Sequence, residues 1–172
     1  MSNKKALFLD RDGVINVDHG YVSEIENFEF TDGIFDVLKK YQKLGYLLIV
    51  VTNQSGIGRG YYTIEDFHSV TTHKLKELKK EGIIIDEVYH CPHNPDSNCG
   101  CRKPSPSMLL HAKEMYDIDM DASWMIGDKK TDIDAGHNAG VKNTILISPD
   151  CKDKKGAKYC VKSIKEVTDI IG

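Results

Sequence analysis

The chain of 172 residues contains no apolar run near the roughly 18 residues that a membrane-spanning helix needs. Its start, Met-Ser-Asn-Lys-Lys, carries no apolar stretch of the kind a secretory leader requires, so a cytoplasmic protein with no membrane partner is expected. Positive charge is not in excess either: 23 Lys and Arg against 26 Asp and Glu leave a formal net charge of −3. Affinity for a phosphate backbone comes from clustered cations, so no nucleic-acid partner is expected. Internal repeats, low-complexity tracts and long linkers are missing, and the one lysine-rich run, Lys152 to Lys158, reads as a solvated loop. What remains is a composition 40% hydrophobic, enough for a core in one domain over residues 1–172, taken as a monomer.

Within that plain background, residues 6 to 13 (Ala-Leu-Phe-Leu-Asp-Arg-Asp-Gly) are distinctive: an apolar run ends in two carboxylates, Asp10 and Asp12, and then a glycine. An extended backbone points residues i and i+2 the same way, and the carboxyl end of a parallel strand is where an open α/β sheet presents its ligands. Two carboxylates that close call for a hard cation such as magnesium or for an acid/base couple. Further short apolar runs, Tyr46 to Thr52, Glu87 to Cys91, Ser123 to Ile126 and Asn143 to Ile147, join Lys5 to Asp10 as strand candidates. Helical patterns lie between and after them, near residues 33–44, 63–81, 106–116, 131–139 and 163–171. The second is the clearest, with a capping box at Thr63 and Asp66 and an end at Gly82. Such alternation predicts an α/β fold: one doubly wound, Rossmann-like parallel sheet of about five strands, helices on both faces.

Other strand ends carry matching chemistry. Thr52-Asn53-Gln54-Ser55-Gly56-Ile57-Gly58-Arg59-Gly60 is a polar, glycine-rich segment suited to phosphate oxygens, Arg102-Lys103-Pro104 places two cations together, and Gly127-Asp128-Lys129-Lys130-Thr131-Asp132 adds a third acidic cluster. Carboxylates suit a hard cation, whereas hydroxyls and cations suit a phosphoryl group.

In order and placement these segments resemble the motifs of the haloacid dehalogenase superfamily phosphatases. The resemblance implies that Asp10 attacks phosphorus to form an aspartyl phosphate and that Asp12 protonates the leaving oxygen and then activates water. It further implies a magnesium ion held by the Asp10 and Asp128 carboxylates and the Asp12 main-chain carbonyl. Thr52 and Lys103 are expected to stabilise the transferring phosphoryl group, and Thr131 and Asp132 to orient the site.

Cys91-Pro92-His93 followed by Cys99-Gly100-Cys101 offers three sulfurs and an imidazole within eleven residues, a closed tetrahedral shell for a structural zinc. A disulfide suits a cytoplasmic chain poorly, and Cys151 and Cys160, lying apart from that cluster, are read as ordinary surface or packing residues. About 40 residues separate Asp12 from Thr52, too few for a cap domain, so selectivity must come from loops. One is Val17-Asp18-His19-Gly20-Tyr21-Val22, and the opposite wall is the zinc-held loop. Together with the Cys-x-Cys-Arg-Lys-Pro segment, this flap is similar to the branch of the family that takes the 7-phosphate from heptose 1,7-bisphosphates for nucleotide-activated heptose synthesis. The implied contacts with that small phosphorylated sugar are Asp10, Arg11, Asp12, Asp18, His19, Gly20, Tyr21, Thr52, Asn53, Gln54, Ser55, Arg102 and Lys103. A zinc loop as short as this one is closer to that of the histidinol-phosphate branch, which is the alternative; a non-catalytic, zinc-ordered binding module is a third reading.

Overall fold

The computed structural model describes residues 4–172, so the first three residues of the expected leaderless start lie outside it. Six parallel strands form one sheet in the order β3-β2-β1-β4-β5-β6: β1 Ala6–Leu9, β2 Leu47–Asn53, β3 Glu87–Cys91, β4 Trp124–Gly127, β5 Asn143–Ile147 and β6 Tyr159–Val161. All four residues of β1 are buried because both faces of the sheet are covered. Leu7 and Leu9 turn toward helices α1 (Ile34–Lys43) and α3 (Ile64–Lys80), while Ala6 and Phe8 turn toward α4 (Ser107–Tyr116) and α5 (Lys130–Asn138). Sequence spacing explains each helix. In α1, Ile34, Val37, Leu38 and Tyr41 are buried at i, i+3, i+4 and i+7. The α3 capping box forms as its sequence predicts: Thr63 Oγ1 accepts from Asp66 N–H at 3.1 Å and Asp66 Oδ2 accepts from Thr63 N–H at 2.9 Å.

Three features differ from the sequence reading. The sheet has a sixth strand, β6, only three residues long and lying at the edge, where period-two alternation has no length in which to show. The last helix candidate is a 3-10 segment, Ile164–Asp169, whose tighter turn puts Ile164 and Val167 on one buried side. Cys151 and Cys160, read as ordinary surface or packing residues, form a disulfide with Cα atoms 5.8 Å apart. The crossover into β6 returns the chain beside β5 and brings the two together, a proximity that spacing along the sequence cannot reveal.

Register fixes the site. Leu9 pairs with Val50 of β2 and with Ile126 of β4, so the ends of β1, β2 and β4 lie side by side. Strand order reverses on either side of β1, the switch point at which open α/β sheets bind ligands. Among the described residues no cap covers this edge. The segment after β1 folds back on itself instead, Val17 N–H donating to Glu29 O at 2.8 Å and Thr31 N–H to Ile15 O at 2.9 Å. Among the described residues no helix is long and apolar enough to cross a membrane.

Candidate active site

At the switch point the chain builds a buried floor around one ammonium group. Lys103 Nζ donates to Asp10 Oδ1 at 2.9 Å, to Asp132 Oδ1 at 2.6 Å and to Val51 O at 2.8 Å, which uses all three of its hydrogens. Its side chain is 2% exposed, and the two carboxylates outweigh burial to keep it protonated. Asn53 grips the Lys103 backbone from both sides, its Oδ1 accepting at 3.0 Å and its Nδ2 donating at 3.3 Å. Asp132 Oδ2 meanwhile accepts from the Asp128 and Lys129 N–H groups, tying the first turn of α5 to the same lysine.

Asp12 sits in a second network. Its Oδ1 accepts from Arg11 Nη2 and from Asn16 Nδ2, each at 2.9 Å, and its Oδ2 accepts from Gln54 Nε2 at 3.1 Å. Burial raises the proton affinity of this carboxyl, but the Arg11 guanidinium and these donors outweigh it and hold Asp12 below the usual carboxylate range. Asp12 is therefore anionic at rest. Gln54 also donates to Thr52 Oγ1 at 2.9 Å and accepts from the Tyr62 hydroxyl, so Thr52 and Tyr62 are linked to Asp12 through one amide.

Carboxylate oxygens of Asp10, Asp128 and Asp132 lie within 4.8 Å of one another. Burial and Asp132 push Asp10 up to about 8 against the pull of Lys103, and burial and Asp132 push Asp128 up to about 6. Asp128 Oδ1 is buried without a hydrogen-bond partner. Oxygen donors, crowded negative charge and an orphaned carboxylate oxygen fit a hard divalent cation. Gly13 belongs to this geometry: it has φ +90°, and a Cβ there would lie 2.2 Å from Asp128 Oδ2, so no other residue fits.

A polar cleft of about 360 Å³ opens above the floor. Asp10, Asp12, Asp18, Gly20, Tyr21, Asn53, Gln54, Ser55, Arg102 and Lys103 line it, so most of the residues singled out from sequence come together. Thr52, Arg11 and His19 are placed differently. Thr52 is buried behind Gln54. Arg11, 1% exposed, points inward to Asp12 and to Val22 O at 2.9 Å. His19 faces outward, 3.4 Å from Glu29. Arg59, Tyr62, Lys129, Thr131 and Asp132 also line the cleft. Of these, Arg59, Tyr62 and Lys129 are absent from the contacts expected from sequence; a cation closing the glycine-rich segment and one following the Gly-Asp of β4 were the available signals.

One wall is the segment from Cys91 to Lys103. Cys91, His93, Cys99 and Cys101 converge with one donor atom each, all within 4.8 Å of one another, a set of three sulfurs and one imidazole nitrogen that fits zinc. The glycine-rich segment folds as a short helix, α2 (Ser55–Gly58), packed against this wall. Its glycines serve close approach: a Cβ on Gly56 would meet the Tyr62 ring at 2.1 Å, and one on Gly58 the Asn94 nitrogen at 2.5 Å.

Comparison with known proteins places this arrangement among relatives. A HAD-hydrolase-like family model matches residues 100–166. The chain is 49% identical over 172 residues, 99% of each chain, to the D-glycero-beta-D-manno-heptose-1,7-bisphosphate 7-phosphatase of Helicobacter pylori. It is 48% identical over 163 residues, 95% of this chain and 93% of the relative, to the D-glycero-alpha-D-manno-heptose-1,7-bisphosphate 7-phosphatase of Campylobacter jejuni. Among solved structures, the D,D-heptose 1,7-bisphosphate phosphatase of B. bronchiseptica, complexed with magnesium and phosphate, superposes with a TM-score of 0.86 at 25% identity, covering 97% of both chains.

Proposed function

The chain belongs to the haloacid dehalogenase-like phosphatases, and from that premise we propose that it removes the 7-phosphate of D-glycero-D-manno-heptose 1,7-bisphosphate in nucleotide-activated heptose synthesis. The observation that carries the reading is 49% identity along the whole chain to an enzyme named for that reaction. A floor suited to phosphoryl transfer supports it.

Asp10 is the nucleophile, and it reacts as the carboxylate, which the Lys103 ammonium and a bound cation would favour against the burial and neighbouring aspartates that raise it. Lys103 holds Oδ1, which leaves Oδ2 to attack phosphorus and form the aspartyl phosphate as the sugar hydroxyl departs. Asp12 gives that oxygen its proton. The incoming phosphate dianion raises the proton affinity of the Asp12 carboxyl, so a group that rests as an anion becomes an acid when substrate binds. As a carboxylate again, Asp12 takes a proton from water, which attacks phosphorus and releases Asp10. Lys103 offsets charge on the transferring group, and Thr52, buried behind Gln54, would stabilise that group only through a donor freed when Gln54 shifts. Asp10, Asp128 and the Asp12 carbonyl would hold magnesium, which when bound supplies positive charge to the phosphoryl oxygens. Asp132, committed to Lys103 and two N–H groups, orients the site. Cys91, His93, Cys99 and Cys101 would hold a zinc, which when bound would order the wall and take no part in the chemistry. The reading has residues 1–172 acting as one domain and as a monomer in the cytoplasm, where Cys151 and Cys160 would stand as a pair of thiols.

Phosphate release with magnesium from the alpha and beta anomers of heptose 1,7-bisphosphate and from histidinol phosphate tests the proposal. One phosphate per heptose bisphosphate, with kcat/KM about tenfold or more above histidinol phosphate, is expected. Equal or reversed efficiency would overturn it.

A further inference from the structure

A bisphosphate brings a second phosphate that is not cleaved, and the cleft has cations that the floor does not use. Lys103 is fully engaged by Asp10, Asp132 and Val51 O. Among the described residues neither Arg59 nor Arg102 has an ion-pair partner, although both line the cleft. Arg102 Nη1 is moreover buried with no hydrogen-bond partner. Resting on the bisphosphate reading above, we propose that Arg59 is a specificity-determining residue whose guanidinium, with that of Arg102, grips the phosphate that is not cleaved.

Position and chemistry both support this. Arg59 directly follows α2, and α2 is docked on the cysteine wall: Gln54 N–H donates to Cys91 O and Gly58 N–H to Pro92 O, each at 2.8 Å. Arg102 leaves the same wall at its other end, one residue after Cys101. Arg102 is thus carried by the segment that holds the cysteine and histidine donors, and Arg59 by a helix hydrogen-bonded to the start of that segment. Tyr21, which also lines the cleft, packs edge to face on Tyr61 with ring centroids 4.9 Å apart, tying the flap to the segment that carries Arg59. Asp12 and Asp18 line the cleft too and repel an anion, so a second phosphate is directed toward the arginines. Two guanidinium forks match the oxygens of a phosphate as a single ammonium cannot.

The test compares wild type, Arg59→Gln and Arg59→Lys on heptose 1,7-bisphosphate and on p-nitrophenyl phosphate, which has no second phosphate. Arg59 is exposed, so both variants should fold. In Arg59→Gln the preference for the bisphosphate, as a ratio of kcat/KM values, should fall about tenfold or more through KM, with Arg59→Lys in between. Equal losses on both substrates, or none on the bisphosphate, would overturn the role of Arg59 and leave the heptose reading standing. A wild type that does not prefer heptose 1,7-bisphosphate to histidinol phosphate would overturn that reading and the two-arginine grip with it.

Discussion

The floor of the cleft and its wall are built on opposite terms. On the floor, Lys103, Asp132 and Asp12 are each held by at least three partners, and the residues come from the ends of buried strands or from turns hydrogen-bonded to them. The wall has few apolar residues, leaves Arg102 Nη1 without a hydrogen-bond partner, and gathers four metal-suited side chains. A floor so constrained can vary little without losing its charge balance, whereas a wall held at a few points can change its reach and its cations. On the proposed reading, chemistry is thereby separated from recognition.

Removing the nucleophile is the strongest way to strain that contrast. Asp10→Asn should lower kcat by about 10³-fold or more while the fold persists, as read by phosphate release and circular dichroism. Retained turnover would mean that the floor is not the reacting centre. Lys103→Met should come next. It leaves Asp10 and Asp132 buried without their counter-ion and should cost about 3–5 kcal/mol in denaturant-derived stability as well as activity. On the wall, Cys99→Ser should abolish stoichiometric zinc, lower Tm and raise KM for the bisphosphate roughly tenfold, with a smaller effect on kcat. Stoichiometric zinc retained in Cys99→Ser would separate the four donors from any metal.

The smallest expected effect concerns a group behind the floor. Lys74 of α3 is fully buried, its Nζ has no hydrogen-bond partner, and burial with the nearby Arg11 lowers it from 10.5 to about 7. Between those values the unfolded chain holds a proton that the folded chain lacks, so this lysine makes stability rise with pH from about 7 to 10.5. Lys74→Met should flatten that rise and stabilise the protein at pH 7 by about 1–3 kcal/mol, read from urea midpoints at several pH values. Loss of stability at pH 7 would show that the amine has a partner in solution.

How much could be read in the chain follows the same division. That Asp10, Asp12, Lys103, Asp128 and Asp132 gather in one place was legible because they stand at the ends of strands, and helix α3 because its cap is local. The sixth strand was not legible, being three residues long at an edge. Nor was the pairing of Cys151 with Cys160, which depends on a crossover, or the presence of Arg59 and Arg102 in one cleft, which follows from Gly58 meeting the backbone at Pro92 and Asn94. The heptad-like stripe of α3 even conceals a lysine, since Lys74 is buried where periodicity suggests nearby Leu75, itself only half-buried.

The sequence by itself determined the fold class, through local periodicity, and its motifs at the strand ends carried the family resemblance that singled out the groups on the floor. Tertiary structure alone decided that Lys103 is locked between two aspartates, that Asp12 rests as an anion, and which cations stay unpaired at the cleft. Those properties depend on distances between residues far apart in the chain and on burial from water, which sets how strongly each charge is felt.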